Sequence, residues 1–123
     1  MPSNTIMKAA LQAYVDRFNN GDVDGVGALY ADDATLEDPV GTAPKAGKAA
    51  IIAFYRDAIA TGAKLSLAAP IRGSHGDSAA MAFNVAIASA GIRINVIDVM
   101  TFNDDGAITS MRAFWGADDV SPL

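Results

Sequence analysis

The sequence has no cysteine, which excludes disulfides, thiolate nucleophiles and Cys-based metal sites. It has one histidine, His75, in the turn-like stretch GSHGDS. A Ser-His-Asp triad or a histidine metal site would have to use it, and a surface-loop histidine is the better reading. Glutamate is almost absent. Of 14 acidic residues only Glu37 is Glu, so acid–base chemistry must come mainly from Asp and Tyr. The chain lacks a basic run and its net charge is −5, which argues against nucleic acid or an anionic membrane surface as partner. No apolar run is long enough to cross a bilayer. The N-terminal MPSNTIMKAALQ lacks the apolar core of a signal peptide. The expectation is a soluble, cytoplasmic protein.

What is present suits one packed core. The chain has 123 residues, enough for a single domain over 1–123, and 51% of them are hydrophobic. Helical spacing of Met7, Ala10, Leu11, Tyr14, Val15 and Phe18 predicts a helix over 5–20. Ser3, Asn4 or Thr5 can cap its start, and Asn20-Gly21 can end it. Asp22 can cap a short second helix over 22–30, with Val26, Leu29 and Tyr30 inward. ATLED reads as a short extended piece stopped by Pro39 and Gly41. A third helix runs over 48–61 with Ile51, Phe54, Tyr55, Ala58 and Ile59 on its stripe, and Gly62 ends it.

After Gly62 the period becomes two. KLSLAAPIR, AAMAFNVAIAS, INVIDVMTF and AITSMRAFWG read as four strands of a meander, divided by turn residues. Helices followed by an antiparallel sheet make an α+β fold with helices on one sheet face. The other face, around Ile97, Val99 and a row of alanines, is poor in charge, and a homodimer is its simplest cover.

One residue breaks the apolar pattern. Alternation puts Ile94, Val96, Asp98, Met100 and Phe102 on one strand face. An ionised carboxylate there costs several kcal/mol unless paired. Asp98 therefore either meets a cation, with Arg72, Arg93 and Arg112 as candidates, or is held protonated. All three tyrosines, Tyr14, Tyr30 and Tyr55, fall on inward helix stripes, which points to a shared polar network inside an apolar space. Trp115 shares a strand face with Met111 and Ala113 and can line that space. In LEDPVG, Glu37 and Asp38 point to opposite sides of an extended segment, so one faces inward.

LYADDATLEDPVG (29–41), IDVMTF (97–102) and SMRAFWG (110–116) resemble the bacterial Δ5-3-ketosteroid isomerases, and the element order matches along nearly the whole chain. The wider superfamily, nuclear-transport-factor-2-like (NTF2-like) or SnoaL-like, has a cone-shaped fold of three helices on a curved antiparallel or mixed sheet. It also includes dehydratases, epoxide hydrolases, cyclases and non-catalytic modules, so fold does not settle function.

The resemblance implies that Asp38 is the proton-shuttling base. It implies that Tyr14 and a protonated Asp98 donate to the substrate's carbonyl oxygen. A carboxylic acid kept neutral to serve as donor is a known device of that family. Tyr30 and Tyr55 match supporting positions, and Trp115 matches an aromatic position near the base. Phe83, Val85, Met100 and Met111 are the further inward residues expected against an apolar substrate. Val99 stands where relatives tend to carry a polar residue, and by alternation it faces away from the pocket. The implied activity is conversion of a 3-oxo-Δ5-steroid to its Δ4 isomer. It needs no metal and no organic cofactor.

Overall fold

The computed structural model of the chain describes residues 1–123. Helix α1, Asn4–Asn19, buries Met7, Leu11, Tyr14, Val15 and Phe18 along one stripe. Its first turn is capped by the Ser3 hydroxyl, which accepts from the Ile6 N–H at 3.2 Å. Helix α2, Val23–Gly27, is capped by Asp22, whose carboxylate accepts from the Gly25 N–H at 2.9 Å. Helix α3, Lys48–Ala60, buries Ile51 and Tyr55. The two helices α2 and α3 approach closely at Gly27, where a Cβ would come within 2.6 Å of the Ile52 side chain.

Seven strands form one mixed sheet. They are β1, Tyr30–Glu37; β2, Lys45–Ala46; β3, Lys64–Leu67; β4, Ser78–Ile87; β5, Ile92–Phe102; β6, Ile108–Phe114; and β7, Val120–Pro122. The order is β2-β1-β6-β5-β4-β3, with β7 paired to β5. The expected meander is β3 through β6, antiparallel throughout. Strand β1 joins it in parallel beside β6. On β5, β6 pairs with Ile97–Phe102 and β7 with Ile92–Ile94, so the short C-terminal strand continues the edge that β6 leaves.

Three local expectations need correcting. Tyr30 does not lie on a helix but is the first residue of β1. The second helix stops at Gly27, and Tyr30 is taken over by pairing with Ile108, where the Ile108 N–H donates to the Leu29 carbonyl at 2.9 Å. Strand β1 is also longer than ATLED, because that pairing extends it back through the polar ADD stretch. KLSLAAPIR is a strand only as far as Leu67; beyond it Pro70 has no N–H to give to a ladder.

The period of two then sorts the sheet into two faces. Met81, Phe83, Val96, Asp98, Met100, Met111 and Ala113 are buried under the helices. Ile97 and Phe114 lie opposite one another on the outer face and are 50% and 39% exposed.

Candidate active site

A cavity of about 240 Å³ lies between the helices and the inner sheet face. Helix α1 supplies Tyr14 and Phe18, one turn apart. Helix α3 supplies Phe54, Tyr55 and Ala58. The sheet supplies the rows Phe83-Val85-Ile87 and Ile94-Val96-Asp98, and Asp38 and Trp115 follow the ends of β1 and β6. From Asp98 to Ile94 is four residues, about 13 Å along the strand at ~3.3 Å each. Thirteen of its 16 lining residues are hydrophobic, and Asp38 and Asp98 are the carboxyls among them.

Asp98 is 1% exposed, and neither carboxylate oxygen has a hydrogen-bond partner in the protein. Its cross-strand neighbours are Met81 and Ala113. No arginine reaches it. Arg112 turns to the outer face and bonds Glu37 through Nε at 3.2 Å, Arg72 bonds the Pro70 carbonyl, and Arg93 is exposed. Burial pushes the Asp98 carboxyl well above the usual carboxylate range, and the nearby Asp38 charge pushes it further. Burial and the lack of any cation in reach both favour the neutral form of Asp98 over the ionised one. An unpaired buried charge costs several kcal/mol, and each ~1.4 kcal/mol of that cost raises the carboxyl pKa by about one unit. A neutral carboxyl has an O–H to donate, and both Asp98 oxygens are free of other partners.

Tyr14 is 4% exposed and also lines the cavity. Burial raises its hydroxyl well above the usual tyrosine range. The Tyr14 and Tyr55 rings meet edge to face, 5.6 Å between centroids. The Tyr30 and Tyr55 hydroxyls are bonded at 2.5 Å. Burial holds Tyr30 and Tyr55 up as well, so all three hydroxyls stay protonated at neutral pH.

Asp38 is half-buried, and its Oδ1 accepts from the Trp115 indole N–H at 2.9 Å. Adjacent Glu37 points the other way, to Arg112, as the alternation of an extended segment requires. Burial raises the Asp38 carboxyl. The Trp115 bond and the positive charge of Lys45 oppose that rise by favouring the ionised form. The two cavity carboxyls therefore differ: Asp98 has no compensation, and Asp38 has two sources of it.

Of the residues singled out in the sequence, Tyr14, Asp38, Tyr55, Phe83, Val85, Asp98 and Trp115 line the cavity. Tyr30, Met100 and Met111 do not. They lie at the layer beneath, where Tyr30 is 1%, Met100 0% and Met111 1% exposed. Sequence reasoning passed over other wall residues. Phe18 lies four residues from Tyr14, and Phe54 and Ala58 are four apart on one helix stripe. Val96 and Ile94 share Asp98's strand face. Each had a periodic signal. Thr61 and Ala63, in the bend between α3 and β3, had none. No three His, Asp or Glu side chains are gathered so as to hold a metal ion, and His75 is exposed in its turn. No helix is long and apolar enough to cross a membrane.

The SnoaL-like domain family matches residues 11–111. The chain belongs to that family. Among SnoaL-like relatives, the Steroid Delta-isomerase of Nocardioides simplex is 45% identical over 116 residues, 93% of each chain. Epoxide hydrolase LasB of Streptomyces lasalocidi is 33% identical over 98% of this chain, which spans 45% of that protein. The solved structure of the epoxide hydrolase/cyclase-like enzyme SalBIII, concerned with pyran ring formation in the polyether salinomycin, superposes with a TM-score of 0.92. It is 28% identical, with full coverage of both chains. These likenesses agree with three helices on a curved mixed sheet, the NTF2-like arrangement. The end-to-end identity to the isomerase supports isomerase activity.

The unpaired Asp98 predicts a pH dependence of stability within this SnoaL-like fold. The unfolded chain releases the Asp98 proton near pH 4. The native state holds it to higher pH, because burial raises its carboxyl. From about pH 4 upward the native state thus binds more protons, so stability falls as pH rises through the native pKa. Asp38, shifted in the same direction, adds to the fall. Urea midpoints measured against pH are expected to decline more steeply in the wild type than in Asp98→Asn. Equal slopes would mean that native Asp98 is ionised.

Proposed function

We propose that the protein is a steroid Δ5-isomerase converting 3-oxo-Δ5-steroids to 3-oxo-Δ4-steroids. The observation that carries the reading is the pair of carboxyls in one apolar cavity, Asp98 without a partner and Asp38 bonded to the Trp115 indole N–H. The 45% identity to a steroid Δ-isomerase supports the substrate class.

The reaction needs one base and one oxyanion site. The flat, apolar rings lie along the walls formed by β4, β5 and α3. The 3-keto oxygen meets Tyr14 and protonated Asp98. Ionised Asp38 removes a proton from C4, and the electrons pass to the carbonyl oxygen to form a dienolate. Two donors in a dry site stabilise the developing negative charge. Protonated Asp38 then gives the proton to C6, the double bond becomes conjugated, and the base is regenerated. Trp115 aims the Asp38 carboxylate. Tyr55, bonded to Tyr30, supports Tyr14.

A second reading, epoxide hydrolysis or cyclisation, draws on LasB and SalBIII. A neutral acid beside an ionised carboxylate could also serve an epoxide, and a substrate test separates the two readings. The partner surface is the outer sheet face. Ile97 and Phe114 lie exposed on it, and we assign its cover to a second copy of the chain.

Ultraviolet absorbance after mixing protein with a Δ5-3-oxo steroid reads conjugation directly. A rapid rise is expected, and Asp38→Asn is expected to slow it by about 10²–10⁴, the usual worth of a positioned base. No rise with folded wild-type protein, together with turnover of an epoxide, would establish the second reading.

Tyr14→Phe and Asp98→Leu are each expected to cost about 10–10³ in kcat. The double variant should lose less than the product of the two, because both donors act on one oxygen. Strictly multiplicative losses would argue against a shared oxyanion site.

Ile97→Asp is expected to shift sedimentation from dimer to monomer with the helical content intact. A wild type that sediments as a monomer at every concentration would refute the assembly.

A further inference from the structure

Asp38 stands in a mostly apolar wall, yet the proposed reaction requires it charged. The groups around it come from several elements. Tyr14 on α1 and Tyr30 on β1 are hydroxyls that burial holds protonated, and Asp98 on β5 is a carboxyl that burial pushes toward its neutral form. Trp115, after β6, gives a hydrogen bond without a formal charge. Glu37, next in the chain, is paired with Arg112 on the outer face. The cation that acts on Asp38 comes from β2.

Lys45 lies opposite Leu36 in the β1–β2 ladder, two residues before Asp38. Directly opposed residues share a face. Leu36 is 1% exposed, so Lys45 projects from the edge of the inner face. Its ammonium stands 5.9 Å from the centroid of the Phe54 ring. Phe54 lines the same cavity as Asp38 and meets Tyr55 edge to face at 5.2 Å. Lys45 forms none of the three ion pairs of the chain, which leaves its charge unspent on a surface carboxylate. The Phe54 face supplies what holds it, a cation–π contact.

We infer that Lys45 is a positioning residue for the isomerase reaction: seated on Phe54 at the cavity rim, it supplies the positive charge that keeps the Asp38 carboxylate ionised and ready to accept the C4 proton. The inference rests on Asp38 being the base. Lys45 touches no reacting atom. It acts through Asp38, in the direction opposite to burial.

The test pairs a pH–rate profile with a direct titration of the carboxyl. In Lys45→Met, kcat/KM below the acid limb is expected to fall about two- to fivefold, the scale of a solvent-screened charge pair. The plateau at higher pH should not fall, and Lys45→Arg should restore the limb. Carboxyl carbon NMR, with the Asp38 signal assigned by its loss in Asp38→Asn, should show the midpoint rising in Lys45→Met and returning in Lys45→Arg. An unmoved midpoint, or a lowered plateau with the limb in place, would overturn the role. A midpoint that moves in a protein that turns over no Δ5 steroid would uphold the electrostatic role and remove the isomerase reading.

Discussion

A carboxyl group without a partner in an apolar wall is the constraint around which the inner layer is arranged. Asp98 sits between Met81 and Ala113 on neighbouring strands, and both of its oxygens lack protein partners. The nearby arginines are turned outward or bonded elsewhere. An ion pair at this position would have ionised Asp98 and removed its capacity to donate. Keeping cations away from Asp98 is therefore as much a part of the site as placing Asp98 in it.

That choice governs the other polar groups. A neutral Asp98 adds no repulsion against an ionised Asp38, whereas two charged carboxyls in one cavity would oppose each other strongly. At Asp38 an indole N–H and the charge of Lys45 oppose the rise that burial imposes. The tyrosines complete the separation. The Tyr30 and Tyr55 hydroxyls bond each other, and Tyr55 packs edge to face on Tyr14, which lines the cavity wall without introducing a charge.

Much of this arrangement is legible in the residues themselves. The alternation in INVIDVMTF put Asp98 on the inward face, because a period of two leaves no other choice once its neighbours are apolar. Helical spacing placed Tyr14 and Tyr55 inward for the same kind of reason. Tyr30 was misassigned because its strand depends on a parallel partner, Ile108, some eighty residues away in the chain. No local pattern reports such pairing. Depth within a layer was equally hidden. Met100 and Met111 share faces with cavity residues, yet they are fully buried and do not line the cavity. Periodicity gives the face of a strand and not the point along it at which the layers part. Lys45, on a two-residue strand, had no period to be read from.

The same alternation ties the two faces of the sheet together. Asp98 is flanked in sequence by Ile97 and Val99, whose side chains lie on the outer face. There Ile97 opposes Phe114, and Val99 opposes Arg112. The arginine extends over the Phe114 ring, 5.2 Å from its centroid, and bonds the Glu37 that precedes Asp38. The outer face is thus one residue removed from both carboxyls of the site. A group that covered Ile97 and Phe114 would restrain the strand segments carrying Asp98 and Asp38, and the direct route is the backbone they share. A hydrogen-bond geometry fixed to a few tenths of an ångström requires strands that do not flex. On this arrangement, any group that covered the apolar outer face would in the same packing event hold the strand carrying Asp98 still.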